Sequence, residues 1–411
     1  MTETDVVVVG AGAAGLGAAK VLAAEGVECL VLEAMGRVGG RAYTSTREFG
    51  VPFDMGCAWL HAADRNPFYP DAQAAGWTLR HHDMGLDHLY FGSRKATQQE
   101  FDGLVGAEAK LQQAIDAHDG PDDRLASLAL ASRVEDAVST YAGPMDFGKD
   151  DDEISIADFR TAEDLDPNYL TREGFGALVA HWGRDVPVTL SCPVRRIRWE
   201  GQGVQVDTDR GTVHARAVIV TASTGVLAYD GIRFTPSLPE RHVKAIYDVP
   251  MGLLTKVPIR VTGTRFGIEP FQDLLMVGHA RHDLYLLFFP FELDLVVGFV
   301  GGDFAWELEA AGPAAAVDFV GGRIESVFGT DARRHLGYGT MTNWAAEPFV
   351  RGAYGVAAPG AAEARRVLME PVGDRIWFAG EALAGGLMQT AGGARLSGEA
   401  VARDVARRLE A

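Results

Sequence analysis

Read for the alternation of apolar and polar positions, the chain opens as a βαβ unit. Asp5 to Glu33, "DVVVVGAGAAGLGAAKVLAAEGVECLVLE", is a buried β run, a glycine-rich turn, an Ala-rich helix and a second β run ending in an acid. Further on, "VPVTLSCPVRRIRWEGQGVQVDTDRGTVHARAVIVTAS" is a series of short alternating runs with turns at "EGQG" and "DRG", which predicts a meander ending in a buried strand. Near the C-terminus the pattern predicts an apolar strand over Ile376 to Ala379, a turn with Gly380 and Glu381, and a Gly/Ala-rich helix from about Thr390. The stretch "QQEFDGLVGAEAKLQQAIDAHDG" has helical spacing. In "GLLTKVPIRV", alternation puts Val257, Ile259 and Val261 on one side and Lys256, Pro258 and Arg260 on the other. On that pattern alone Lys256 belongs on a solvated strand face.

The first unit carries candidate chemistry. Gly10, Gly12 and Gly15 form G-x-G-x-x-G between strand and helix: a tight turn, close approach of a pyrophosphate to backbone, and close helix–sheet packing. Glu33 ends the second strand where a carboxylate can accept ribose hydroxyls, while the helix N-terminus faces the phosphates. A dinucleotide site is expected. The loop that follows, "LEAMGRVGGRAYT", offers Arg37, Gly39, Gly40 and Arg41, suited to lie against a pyrophosphate and bring a guanidinium to it. The late helix, entered through small residues, can set its positive end against a flat ring carrying negative charge.

Composition narrows the class. With 411 residues, 47% of them hydrophobic, the chain can bury a large core in two domains or one discontinuous one. A net charge of −18 argues against nucleic acid and against an anionic membrane surface, and is compatible with a cationic ligand. Cys29, Cys57 and Cys192 form no CxxC or Cys/His cluster, so neither a disulfide framework nor a metal site is expected. With no basic leader and no apolar run near ~18 residues, the expectation is a soluble cytoplasmic protein.

The spaced motifs "VVVGAGAAGLGAA", "LEAMGRVGGRAYT", "DMGCAWLH", "GFGALVAHW" with "VRRIRW", "AVIVTASTGVL", "MGLLTKV", "NWAAEPFVRGAYG" and "FAGEALAGGLMQTAGGARLSGEAVA" together resemble the flavin-containing amine oxidase family. That family includes monoamine oxidases, polyamine oxidases and lysine-specific histone demethylases, and the resemblance runs nearly end to end. It implies an α/β fold: a discontinuous Rossmann-like FAD-binding domain over 1–74, 172–228 and 346–411, with an α+β substrate domain over 75–171 and 229–345.

The resemblance also implies roles. FAD contacts would come from Gly10, Gly12, Ala14, Gly15, Glu33, Arg37, Gly40, Arg41, Gly56, Ala58, Trp59, Val194, Trp344, Gly380, Glu381, Thr390 and Ala391. Lys256 would stand near flavin N5, usually through a water, which reverses the solvated-face expectation. Tyr354 would be one wall of an aromatic cage, with Thr390, not an aromatic residue, opposite. Ala353 replaces the cysteine that attaches flavin in monoamine oxidases, so non-covalent FAD is implied. His61 resembles a histidine of polyamine oxidases, and Asp64 is close enough to join it in holding a distal ammonium. The implied activity is hydride transfer from a small di- or polyamine to FAD, with dioxygen as acceptor. A desaturase or porphyrinogen-type oxidase on an apolar substrate, and a non-catalytic FAD-binding protein, stay open, as does homodimerisation.

Overall fold

The computed structural model describes residues 2–128, 133–277 and 282–410. Its first lobe is built on an eight-stranded sheet. Thr2–Val9 lies at the centre, parallel to both Cys29–Leu32 and Gly211–Val220, and Ile376–Phe378 adds in parallel beside Gly211–Val220. Val194–Arg198 and Val204–Thr208 continue the sheet as the expected antiparallel meander. These central strands read as unbroken Val and Ile runs because both faces are covered, as parallel sheets require. The helices Ala13–Ala24 and Ala391–Glu410 pack together on one face.

Gly15 explains how closely that layer fits. A Cβ there would fall 1.9 Å from the Gly10 carbonyl oxygen, so only glycine lets the helix enter directly behind the turn. Gly10 itself has φ +102°, a conformation open to glycine.

The strand Arg233–Thr235 and the helix Glu240–Asp248 lie beyond the expected boundary at 228, yet they belong to the first lobe. The strand pairs with Val194–Arg198, and Ile232, Leu238, Ala245 and Ile246 share the apolar core of that sheet. The chain crosses to the second lobe only after them.

The second lobe is a seven-stranded, largely antiparallel sheet in the order Leu336–Gly339, Leu254–Val261, Leu295–Gly301, Leu284–Phe288, Asp273–Val277, His88–Phe91, Arg94–Lys95. Val257, Ile259 and Val261 pack under the helices Gly302–Ala311 and Pro313–Phe328. On the opposite face, which alternation alone would leave solvated and the resemblance turns inward, Lys256 and Pro258 are buried and Arg260 is exposed; Lys256 is only 8% exposed. The helix Gln98–Ala117 starts with a capping box, Thr97 accepting from the Glu100 N–H while Glu100 reaches back. A small sheet of Trp59–Leu60, Tyr169–Thr171 and Leu79–His81 bridges the lobes. Among the described residues no helix is long and apolar enough to cross a membrane.

Candidate active site

Between the two sheets runs a cavity of about 1180 Å³, beyond the ~300–1,000 Å³ of a typical single-ligand pocket. From the first lobe it is lined by Gly10, Gly12, Ala14, Glu33, Gly40, Arg41, Val194, Gly380, Glu381, Thr390 and Ala391. From the crossing loops and the second lobe come Gly56, Ala58, Trp59, His61, Lys256, Trp344 and Tyr354. Eighteen sequence positions thus gain neighbours hundreds of residues away.

The residues of the first end suit a flavin dinucleotide. The helix Ala13–Ala24 begins at Gly12 with no side-chain cap, so its first N–H groups are free to face an anion. A Cβ at Gly12 would approach the Gly39 carbonyl and Gly40 only to 3.9 Å, leaving the glycine backbone open to close approach. Glu33 is buried; its two oxygens accept from Ala11 N–H and Met35 N–H at 2.7 Å each, and each keeps a lone pair for a hydroxyl. Arg41 is shared: its guanidinium reaches Glu381 at 2.8 Å and the Ala353 carbonyl at 2.6 Å.

Three expected contacts lie outside the cavity wall. Gly15 acts through helix packing. Arg37 lays its guanidinium over the Tyr43 ring at 4.0 Å and donates to the Val38 carbonyl, and it is not among the lining residues. Asp64 is 59% exposed and pairs with its neighbour Arg65, which also meets Glu163, and it is not among the residues that line the cavity with His61.

Lys256 is held by backbone. Its Nζ donates to the Gly56 carbonyl at 2.5 Å and the Asp54 carbonyl at 3.0 Å, and sits 5.8 Å from the ring centre of Phe299 on the next strand. Two of three ammonium hydrogens are thereby used; the third is left for the cavity. Burial holds its pKa below the ordinary lysine range, with Asp54 and Cys57 opposing. Cys57 is pushed up to about 12, first by burial and then by Asp54, and stays a neutral thiol. The Asp54 carboxylate caps the helix Phe175–Trp182, accepting from Phe175 N–H at 2.8 Å, Gly176 N–H at 3.1 Å and Thr44 Oγ1 at 2.5 Å.

His61 Nδ1 meets Asn168 Oδ1 at 2.8 Å, and Asn168 Nδ2 donates to Asp166 at 2.6 Å. That chain puts the proton on Nδ1 and leaves Nε2 as an acceptor; burial lowers the pKa and keeps the ring neutral. The Tyr354 hydroxyl points to the Met145 carbonyl at 3.4 Å. Burial, then Asp146, raises its pKa, so the phenol is neutral. Thr390 spends its hydroxyl locally, accepting from Gly393 N–H and donating to the Leu387 carbonyl.

Several cavity residues had no signal in the sequence. Phe299, Tyr285 and Leu275 come from one sheet face, and Tyr141 and Asp146 from a π-helical turn over Tyr141–Met145. Asp146 is exposed through the cavity it lines, although the protein around that cavity desolvates its carboxyl. Burial, then Glu108, pushes it up to about 7. The helix-breaking Gly143 and Pro144 were the only hint of that turn. Away from the cavity, Asp150, Glu153 and Asp303 approach within 4.8 Å, where Lys149 Nζ lies 2.6 Å from Glu153.

The family profile described as "Flavin containing amine oxidoreductase" matches residues 13–406. The chain belongs to this family. It is 27% identical to polyamine oxidase 4 of Oryza sativa subsp. japonica over 98% of this chain and 89% of that protein. It is 28% identical to lysine-specific histone demethylase 1 homolog 3 of the same rice, over 96% of this chain. That match takes in 53% of the demethylase, so the chain spans about half the length of such relatives. A solved structure of putrescine oxidase bound to putrescine superposes with a TM-score of 0.81 at 22% identity, covering 99% of each chain. The flavin amine oxidoreductase fold therefore extends over the whole chain.

In this family member the Asp54 carboxylate carries both the helix start and the loop under Lys256. Asp54→Ala leaves two buried backbone N–H groups and a hydroxyl without an acceptor. A loss of at least ~2 kcal/mol in urea unfolding is expected, larger than for Thr44→Val.

Proposed function

We propose that this protein is an FAD-dependent amine oxidase acting on a small di- or polyamine. The observation that carries this reading is the two-ended cavity. One end has glycine backbone and Glu33 suited to a dinucleotide; the other gathers Lys256, Tyr354, His61 and the carboxylate of Asp146. When bound, FAD accepts a hydride equivalent from the carbon beside the amino nitrogen and passes the electrons to dioxygen, giving hydrogen peroxide. With Ala353 where an attaching cysteine would stand, FAD is held without a covalent bond.

The chain's own groups handle the substrate. The reacting nitrogen must be neutral, and the aromatic wall of Tyr354, Trp59 and Phe299 disfavours its ammonium form by desolvation. Lys256, with one free N–H and a lowered pKa, holds a water and moves a proton at the same place. His61 Nε2 offers a lone pair to a substrate N–H. The imine product leaves and hydrolyses in water.

The acid end favours a second cationic group. Asp146, Glu108, Asp83 and Asp166 line the cavity, and no basic side chain pairs with Asp146 among the described residues. A pKa of about 7 means that Asp146 gains its charge as pH rises through neutrality, so an ammonium binds more tightly above about pH 7 than below.

Anaerobic bleaching of the bound flavin against mono-, di- and polyamines and amino acids, followed by air, tests the reading. Di- or polyamines should bleach fastest and air should restore the colour; protein without flavin, or flavin that no amine bleaches, contradicts it. In Asp146→Asn, KM for a diamine should rise about tenfold, equivalent to ~1.4 kcal/mol, with little change for a monoamine of equal length. The pH step near 7 should disappear with it.

A further inference from the structure

Trp59 forms part of the cavity wall and is 7% exposed. Its indole Nε1–H donates to His82 Nδ1 at 3.2 Å. An indole N–H can only donate, so Nδ1 must carry no proton, and the imidazole proton sits on Nε2. Nε2 in turn faces two acceptors, the Phe271 carbonyl at 3.1 Å and Asp273 Oδ2 at 3.2 Å. Asp273 is 1% exposed, and Tyr285, another cavity residue, faces the same carboxylate. We propose that His82 is a positioning residue: it holds Trp59 in the cavity wall through a hydrogen-bond chain from the indole to the Phe271 carbonyl, which a proton on His82 Nδ1 breaks, with the Asp273 carboxylate beside Nε2 favouring that proton.

Protonation would set two donors, Nδ1–H and Nε1–H, against each other at the present separation, so either the imidazole or the indole must move. Trp59 cannot move alone. It packs on Phe299 with ring centres 5.5 Å apart and on His61 at 6.4 Å, and Phe299 is the ring beside Lys256. Release of the indole therefore reaches the wall that carries Lys256 and His61.

The surroundings make the proton accessible. Burial disfavours the imidazolium, but Asp273 and the Phe271 carbonyl, with Asp87, together outweigh it and the His82 pKa is raised. Asp87 adds in the same direction, and its carboxylate fixes Asp273 by accepting its N–H at 2.8 Å. The other charged neighbours are engaged elsewhere. His81 and Asp83 pair with each other at 2.8 Å, and Arg80 lies over the Phe271 ring at 5.0 Å. His61 stays neutral beyond the indole.

The test is the Trp59 indole N–H resonance in FAD-loaded protein labelled with 15N-tryptophan, assigned by its loss in Trp59→Phe. In the wild type it should shift and lose exchange protection as pH falls from about 8 to about 5, the range in which histidine titrates. His82→Gln can accept from the indole with its amide oxygen and donate to Phe271 with its nitrogen, so it should keep the protected resonance and abolish the titration. Asp273→Asn should move the titration to lower pH. A wild-type resonance that does not titrate, or one that titrates equally in His82→Gln, overturns the proposal. If the glutamine variant does not fold, an unshifted titration in Asp273→Asn does the same. No turnover is needed, so the outcome is independent of the amine reading.

Discussion

A buried lysine held by two backbone carbonyls is the contact on which the geometry of this protein turns. An ammonium out of water needs compensation, and here it comes from the dipoles of Asp54 and Gly56 rather than from a direct carboxylate. The same short loop is tied down on its other sides. The Asp54 carboxylate starts the helix Phe175–Trp182, and a Cβ on Gly56 would fall 1.7 Å from the Arg41 carbonyl oxygen. Arg41 continues the chain to Glu381 and Ala353. One side chain of the second sheet thus fixes its distance to the N-terminal loop, the flavin-type end of the cavity and the C-terminal segment together.

The acid end of the cavity is delivered by a different device. The π-helical turn over Tyr141–Met145 reaches the second sheet through glycines that permit contact of backbone with backbone. A Cβ on Gly301 would fall 1.6 Å from the Pro144 carbonyl oxygen, and Gly148 lies against Leu253 at φ +63°. Such turns occur often at functional sites, because the extra residue re-aims one side chain without ending the helix. Here the side chain is Asp146. A second lock behind it, Arg365 to Asp158 at 2.6 Å, buries both charges and joins the segment after this turn to the C-terminal part of the first lobe.

Much of the first lobe was legible because its signals are local. Valine runs, the glycine turn with Glu33 at its end, and the meander turns each fix their own backbone. The C-terminal helix was legible for the same reason, beginning at Ala391 beside the expected Thr390. Lys256 shows where local reading ends. Alternation named its face correctly but not what covers that face, which is a loop some 200 residues earlier. Asp64 and Arg37 show the converse: a residue pattern does not reveal nearer partners, here Arg65 for Asp64 and the Tyr43 ring for Arg37. Asp146, Phe299 and Asn168 depend on a π turn, a strand register and a loop crossing, none of which a residue pattern encodes.

The proposed reaction requires Lys256 to work at the cofactor and not merely to serve as a structural cation. Lys256→Met tests it directly in a stopped-flow experiment that follows flavin reduction by a diamine without oxygen and reoxidation by air separately. The variant should fold and bind flavin while at least one of the two steps slows by roughly 100-fold, the scale of a lost acid–base group. A flavin-bound variant with both rates unchanged would contradict it.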